Sequence, residues 1–464
     1  VSESPESDLA ELASLLSGVV GTDALSTGDA IGPEYSHDES LTALPRYPLA
    51  VIHPKSTEEV SAIVRLAAEH GVPVTARGSG TGLSGGCIPS PDGILVVFDR
   101  MAEIIEVDTE NHVARVQPGV TLAQLDSALA PLGLIYPIHL GELSASIGGT
   151  VATNAGGMRA VRYGVTRHHV LGLEAVLATG EVIRTGGAYV KSATGYDLTQ
   201  LIVGSEGTLA LVTEATLKLE PRLDHATTVL APFPSLEAVT KAVPEVVASG
   251  LSPSVLEYID ALTLEATTEA QGLDVGIPED VRRATRAYLL VVLESRDESR
   301  LEEDAEALAS LLDRLGASEV YVLPKSAGEA LVVARDRAFF VAKAHGANDI
   351  VDVVVPRARI PAYLAVVSEA ASSTGSLVAG CGHAGDGNLH LSVFQPDPKL
   401  RREVLSLILK AGVSLGGAVS AEHGIGTEKL AYFLETLGST RIGLMRGIKQ
   451  AFDPKGILNP GKLL

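Results

Sequence analysis

Tryptophan is absent, cysteine occurs twice, and 36 basic residues face 57 acidic ones. The missing tryptophan excludes nothing. Two cysteines, Cys87 and Cys381, are too few for a disulfide framework and point to a reducing compartment, so a cytoplasmic location is expected. A formal net charge of −21 argues against nucleic acid as a partner, because neutralising phosphates takes a basic surface. No apolar run approaches the ~20 residues of a membrane span. The acidic start from Val1 to Asp8 lacks the basic-then-apolar order of a secretory signal. Peripheral membrane association stays open, and so does processing, since the first residue is not Met.

At 464 residues, 46% of them hydrophobic, the chain is long enough for two or three domains with large cores. Residues 56–70 read as a helix: Ser56 and Glu59 form a capping box, apolar residues recur at helical spacing, and Gly71 stops it. Strands are expected at Val72–Ala76, Ile94–Phe98 and Glu174–Ala178, with a helix over Thr121–Leu132. This α/β alternation closes at Glu220-Pro221-Arg222 and suggests a first domain over 1–222, with 1–44 as an N-terminal extension. Longer amphipathic helices and spaced strands follow in 223–415, including a strand at Tyr288–Leu293 and a helix over 297–315. The remainder, 416–464, is turn-rich at its end.

The chemistry is densest between Gly382 and Gly424. His383 and His390 stand in a glycine-rich stretch, and Glu422-His423 follows about thirty residues later. Two imidazoles and a carboxylate suit a divalent metal and leave positions open for substrate, with one more histidine beside the set. The run Asn388–Phe394 alternates as a strand does, which puts Asn388, His390 and Ser392 on one face. A zinc hydrolase has little support, because no H-E-x-x-H helix is present.

The segment Arg77 to Gly86 formally satisfies G-x-G-x-x-G through Gly80, Gly82 and Gly85. The Rossmann mechanism needs a helix to begin there, and Cys87-Ile-Pro89-Ser-Pro91 cannot open one. Backbone N–H groups in such a turn can still cradle an anion without a helix, and Ser79, Thr81 and Ser84 could add hydroxyl donors. Two further small-residue clusters, Ser146–Gly157 and Gly204–Thr208, lie in the same domain. Three such segments with Arg77 suggest one extended, phosphate-bearing cofactor.

Together, Ala76–Gly86, Gly148–Gly157, Val203–Leu209, Gly382–His390, Ala421–Gly424 and Asn459–Lys462 resemble the FAD-linked D-2-hydroxy acid dehydrogenases. That group includes cytochrome- or quinone-linked D-lactate dehydrogenases, D-2-hydroxyglutarate dehydrogenase and the D subunit of glycolate oxidase. It belongs to the vanillyl-alcohol oxidase type of flavoprotein. The resemblance, from about residue 45 to the C-terminus, implies an α+β architecture. An FAD-binding domain of two α+β subdomains would be joined to an α+β substrate (cap) domain, with a C-terminal segment returning to the flavin. It implies Arg77, Gly78, Ser79, Gly80, Thr81, Gly82, Ser84 and Gly85 as the pyrophosphate grip. Pro137, Ser146, Gly148, Gly149, Asn154, Gly156 and Gly157 would lie along the flavin, Glu206 and Gly207 on its ribityl or adenine side, and Asn459 near the isoalloxazine. Members with covalent flavin carry a His about where Thr81 stands, so the FAD is expected to be non-covalent.

The resemblance also assigns His383, His390 and Glu422 as ligands of a divalent metal, Zn or Mn, and His423 as the catalytic base. Arg335 would bind the substrate carboxylate, with Asn388 hydrogen-bonding the substrate or orienting a ligand. Dicarboxylate-specific members place a Thr and a Lys where Phe339 and Ile350 stand here. The expected reaction is therefore oxidation of a D-2-hydroxy monocarboxylate with a small or apolar side chain, D-lactate first. A glycolate-oxidase-type subunit and a D-2-hydroxyglutarate dehydrogenase are the alternatives, and a flavin electron-transfer protein is a remoter one. With no Rossmann unit for NAD, the expected acceptor is a quinone, cytochrome or electron-transfer flavoprotein. A homodimer is left open.

Overall fold

The structure, a computed structural model, describes residues 5–464, with side chains from residue 11. The first domain holds two sheets. Strands β1 (Leu25–Thr27), β2 (Ala50–Ile52), β3 (Val74–Arg77) and β4 (Ile94–Val97) form one, in the order β1-β2-β4-β3, with β2, β4 and β3 parallel. Strands β5 (Ile104–Asp108), β6 (Val113–Val116), β8 (Val170–Leu177), β9 (Val182–Gly186) and β10 (Ala210–Lys218) form the other, an antiparallel sheet ordered β5-β6-β10-β8-β9. The short β7 (Leu134–Ile135) and β11 (Glu220–Pro221) pair with each other. Each sheet has its own apolar core, as two α+β subdomains require.

Helix Thr57–His70 covers the first sheet. Ser56 Oγ accepts the Glu59 N–H at 3.3 Å, and Gly71, at φ 68°, ends it. The expected capping box is half made, because the Glu59 carboxylate accepts from the Lys55 N–H instead, at 2.9 Å. A complete box forms at Thr121 and Gln124. That helix runs Leu122–Leu129 and tightens to a 3-10 turn over Ala130–Leu132, where Pro131 has no N–H to continue it. Leu12, Leu16 and Val20 of helix Pro5–Val20 are buried in the first subdomain's core, and β1 extends its sheet.

The second domain is built on seven antiparallel strands: β12 (His225–Phe233), β13 (Val255–Asp260), β14 (Ala287–Ser295), β15 (Tyr321–Leu323), β16 (Asp349–Val354), β17 (Leu377–Gly382) and β18 (Asn388–Phe394). Their order is β15-β12-β14-β13-β17-β18-β16. Alternation sorts the two faces. Leu256, Leu289, Val291, Val351, Leu389 and Leu391 point into a core shared with helices Leu236–Ala248, Glu298–Arg314, Ile360–Thr374 and Pro398–Ser414. Glu257, Ile350, Asp352, Cys381 and His390 therefore take the opposite face.

The chain crosses back later than the expected boundary at 415/416. Residues 418–421 still pair with β16, through Ala418 N to Val354 O at 3.0 Å and Ala421 N to Asp352 O at 3.1 Å. The return is a strand addition: Val74 N donates to Ile457 O and Asn459 N to Val74 O, both at 2.8 Å, which sets residues 457–459 beside β3. Asp453 fixes the approach, accepting from Ile457 N at 3.1 Å, Leu458 N at 2.7 Å and Lys449 Nζ at 2.5 Å. Among the described residues no helix is long and apolar enough to cross a membrane. Asp453→Ala leaves the buried N–H groups of Ile457 and Leu458 without a partner and takes the counter-charge from Lys449, and is expected to destabilise the protein by about 2–4 kcal/mol. Urea unfolding checks this, and a loss below ~1 kcal/mol contradicts it.

Candidate active site

The three glycine clusters close on one another. A Cβ on Gly78 would lie 2.0 Å from Ser146 Oγ, so the loop after β3 is pressed against the N-terminus of helix Ile147–Thr153. Gly80, at φ 75°, sits over the Arg77 guanidinium, where a side chain would meet Nη2 at 2.0 Å. Arg77 braces this loop from behind, donating to His37 O at 2.7 Å, and does not line the cavity in front. The N–H groups of Ser79, Gly80, Thr81 and Gly82 have no acceptor among the described residues, which is what an anion cradle needs. The hydroxyls expected to help are mostly engaged elsewhere. Ser79 Oγ donates to Ser144 O at 2.6 Å and Ser84 Oγ to His423 O, leaving Thr81.

In front of this loop lies a cavity of about 710 Å³ that spans both domains. Gly78, Ser79, Gly80, Thr81, Gly82 and Ser84 line it. So do Ser146, Gly148, Gly149, Gly157, Glu206 and Gly207, and on the far side Arg335, His383, His390, Glu422 and His423. Six residues expected there stand behind its wall: Arg77, Gly85, Pro137, Asn154, Gly156 and Asn459. Asn154, at φ 53°, caps helix Ile147–Thr153 and accepts from Arg167 N at 2.9 Å. Asn459 Nδ2 donates to Gly86 O at 2.9 Å and Glu206 O at 2.7 Å, tying the returning segment to two loops. Glu206 lines the cavity, yet its carboxylate oxygens accept from Ile425 N and Gly426 N, both at 2.7 Å. It anchors the His423 loop.

On the second-domain side the metal-type residues converge. Glu422 Oε1 lies 3.4 Å from His383 Nε2 and 3.1 Å from His390 Nε2, and the three ligand atoms fall within 4.8 Å of one another. Glu422 Oε2 accepts from Gly157 N at 2.5 Å. Any side chain on Gly156 would strike that carboxylate at 2.7 Å, which explains its glycine behind the wall. His423 stacks on His390 with centroids 4.9 Å apart and planes 15° from parallel. Burial lowers the His423 pKa to about 4, with Lys429 adding to the effect against the pull of Asp352. The ring is thus neutral and able to accept a proton at pH 7.

Two buried carboxylates absent from the sequence reading hold this group. Glu257 Oε1 is 2.6 Å from His383 Nδ1, and its Oε2 accepts from Arg335 Nε at 2.7 Å. A carboxylate on the outer nitrogen of a ligating imidazole fixes ring and tautomer and strengthens the ligand. Arg335 Nη2 stands 2.6 Å from the same oxygen, so Glu257 holds the guanidinium along one edge while the residue lines the cavity. Asp352 Oδ2 accepts from Ser420 Oγ at 2.7 Å and from the N–H groups of Ala421, Glu422 and His423 at 2.9–3.1 Å. Burial alone would raise the Asp352 pKa; the surrounding positive groups and the backbone N–H donors on its oxygen outweigh that and hold it below the usual carboxylate range. Asp352, His390 and His423 form a second cluster of metal-type groups. The donors already on Asp352 leave its carboxylate unsuited to a cation, which favours the His383–His390–Glu422 set.

Asn388 does not reach the cavity. Its Nδ2 donates to Asp352 Oδ1 at 2.9 Å and Val353 O at 3.1 Å, so it orients Asp352.

Comparisons place this geometry among known proteins. A family model described as FAD binding domain matches residues 48–186, and one described as FAD linked oxidases, C-terminal domain, matches 222–463. An uncharacterized FAD-linked oxidoreductase of Mycobacterium tuberculosis is 53% identical, over 98% of this chain and 99% of its own. A D-lactate dehydrogenase of Archaeoglobus fulgidus is 42% identical, covering 89% and 91%. Glycolate oxidase subunit GlcD of Bacillus subtilis is 38% identical, covering 92% and 91%. The solved structure of p-cresol methylhydroxylase with substrate bound superposes with a TM-score of 0.82 at 18% identity, covering 99% of this chain and 97% of that one. That likeness is one of fold. Asp352→Ala, which strands the donors around it, is expected to cost about 3–5 kcal/mol in urea unfolding; a change under ~1 kcal/mol would show that the Ser420–His423 turn holds without it.

Proposed function

The chain belongs to the FAD-linked oxidases, with the vanillyl-alcohol oxidase type of FAD-binding fold, and from that premise we propose that it oxidises a D-2-hydroxy monocarboxylate to the 2-oxo acid. The observation that carries this reading is the cavity itself, with the glycine-loop anion cradle at one side and His383, His390, Glu422, His423 and Arg335 at the other. A pure electron carrier has no use for that second wall. The FAD supplies a hydride acceptor for C2. The glycine-loop amides fit its pyrophosphate, and the histidines lining the cavity all belong to the second domain or the His423 loop, in keeping with non-covalent attachment.

His383, His390 and Glu422 would hold a divalent metal, Zn or Mn, whose Lewis acidity would lower the pKa of the substrate hydroxyl. His423 takes the hydroxyl proton on its neutral ring. Arg335, held by Glu257, grips the substrate carboxylate from the cavity wall. Lys429 and Asp352 fix the His423 loop and keep it dry. Electrons then pass to a quinone, cytochrome or electron-transfer flavoprotein.

Arg335 is the single lysine or arginine that lines the cavity among the described residues. Lys343, the next candidate, lies outside the lining and is paired with Glu39 at 2.7 Å. Phe339 and Ile350 line the cavity where a distal carboxylate would need a cation. A buried, unpaired second carboxylate costs several kcal/mol, which weighs against D-2-hydroxyglutarate.

Removing the metal with a chelator should abolish flavin reduction by substrate while FAD stays bound, with Zn²⁺ or Mn²⁺ restoring it. His423→Ala should keep the metal and slow reduction by ~10²–10⁴-fold. Full activity in verified metal-free protein would end the metal assignment. In stopped-flow reduction D-lactate should exceed D-2-hydroxyglutarate by at least ~10²-fold in kcat/KM; faster bleaching by the dicarboxylate, or by an L-acid, would overturn the pocket reading.

A further inference from the structure

The cavity does not end at the histidines. On the exposed-to-cavity face of the second-domain sheet, strand register lays out three rows. The first is Cys381–His390–Asp352, the second Ala379–Ser392–Ile350, and the third Leu377–Phe394. From His390 to Phe394 this floor runs four residues, about 14 Å at the antiparallel rise. It carries one polar side chain beyond His390, Ser392, and no charge. Leu262 and Ala266 of helix Ala261–Gln271 and the Phe339–Phe340 pair face the same space. At the far end Leu377 is 51% exposed, so the groove opens to solvent.

The other direction along the sheet is polar. Glu257 and Arg335 lie on the side of His383, away from Ala379 and Leu377. The order along the sheet is thus carboxylate grip, then hydroxyl chemistry, then apolar groove. With the carboxylate on Arg335 and the hydroxyl at the histidines, the substituent on C2 has the groove to enter.

Resting on the 2-hydroxy acid reading above, we propose that the groove is a side-chain channel and that the preferred substrates are D-2-hydroxy acids with long linear or branched apolar side chains, D-lactate being the shortest member accepted. The groove length and burial commit to side chains of about four to eight carbons. Each methylene that enters leaves water, and at about 0.8 kcal/mol per buried methylene this should raise kcat/KM by about fourfold.

Anaerobic stopped-flow reduction of the holoenzyme with D-2-hydroxy acids of three to ten carbons tests this. The expected result is a rise of roughly 10³-fold in kcat/KM from D-lactate to D-2-hydroxyoctanoate. Ala379→Leu, which narrows the middle row, should cut the octanoate-to-lactate ratio at least tenfold. Inhibition of the wild-type holoenzyme by straight-chain 2-oxo acids should tighten with length in parallel, a readout that needs no variant to fold. A flat or falling series with D-lactate still active overturns the channel and leaves the 2-hydroxy acid reading standing. Failure of every D-2-hydroxy acid to bleach the flavin overturns both.

Discussion

Asp352 lies in the middle of an edge strand, has no exposed surface, and gathers the hydroxyl of Ser420 and three successive backbone N–H groups onto one oxygen while Asn388 holds the other. A buried carboxylate is tolerated only when so satisfied. The price is a turn locked in one shape, and that turn carries Glu422 and His423 side by side with their side chains in the cavity. From there the constraints propagate. Glu422 reaches the nitrogens of His383 and His390 and the amide of Gly157, and Ser84 and Glu206 tie the same loop to the glycine clusters. One anion thus fixes a short loop that ties the second domain to the glycine clusters of the first.

Sheet register does the rest of the positioning. Because side chains alternate across a strand, the face that is not packed on helices is free to present chemistry in rows. Glu257 on β13 meets His383 just beyond β17, and His390 on β18 stands opposite Asp352 on β16. A one-residue slip in any of these pairings would exchange the histidine for a core leucine. The site's precision is therefore a property of the core packing on the other face, where Leu389, Leu391 and Val353 are buried.

The sequence shows local chemistry well and the direction of side chains poorly. The glycine clusters, the His383–His390 stretch and Glu422-His423 are legible because their meaning lies in close neighbours, and the failed helix after Gly86 removes the Rossmann reading on steric grounds. The α+β organisation with its FAD-binding fold also holds. Glu257 and Asp352 escape notice because each sits in a run that reads as an ordinary half-buried strand, and only tertiary pairing shows a carboxylate on the cavity side. Asn388, Arg77, Asn154 and Asn459 show the converse. They belong to the right segments, but a motif does not say which side of the loop a side chain takes, and here each braces the wall from behind. Ser84 and Glu206 face the cavity with their polar atoms already committed to the His423 loop.

The central claim of the proposed function is that Asp352 is structural and that a divalent cation would bind between His383, His390 and Glu422. Two overlapping clusters compete for it, since Asp352, His390 and His423 also bring their atoms within 4.8 Å of one another. Anomalous diffraction at the Zn or Mn edge from metal-loaded crystals separates them directly. The account predicts one peak, bound by the ε nitrogens of His383 and His390 and by Glu422, with His423 free. A peak bound by Asp352 and His423, or none at full metal loading, would contradict it.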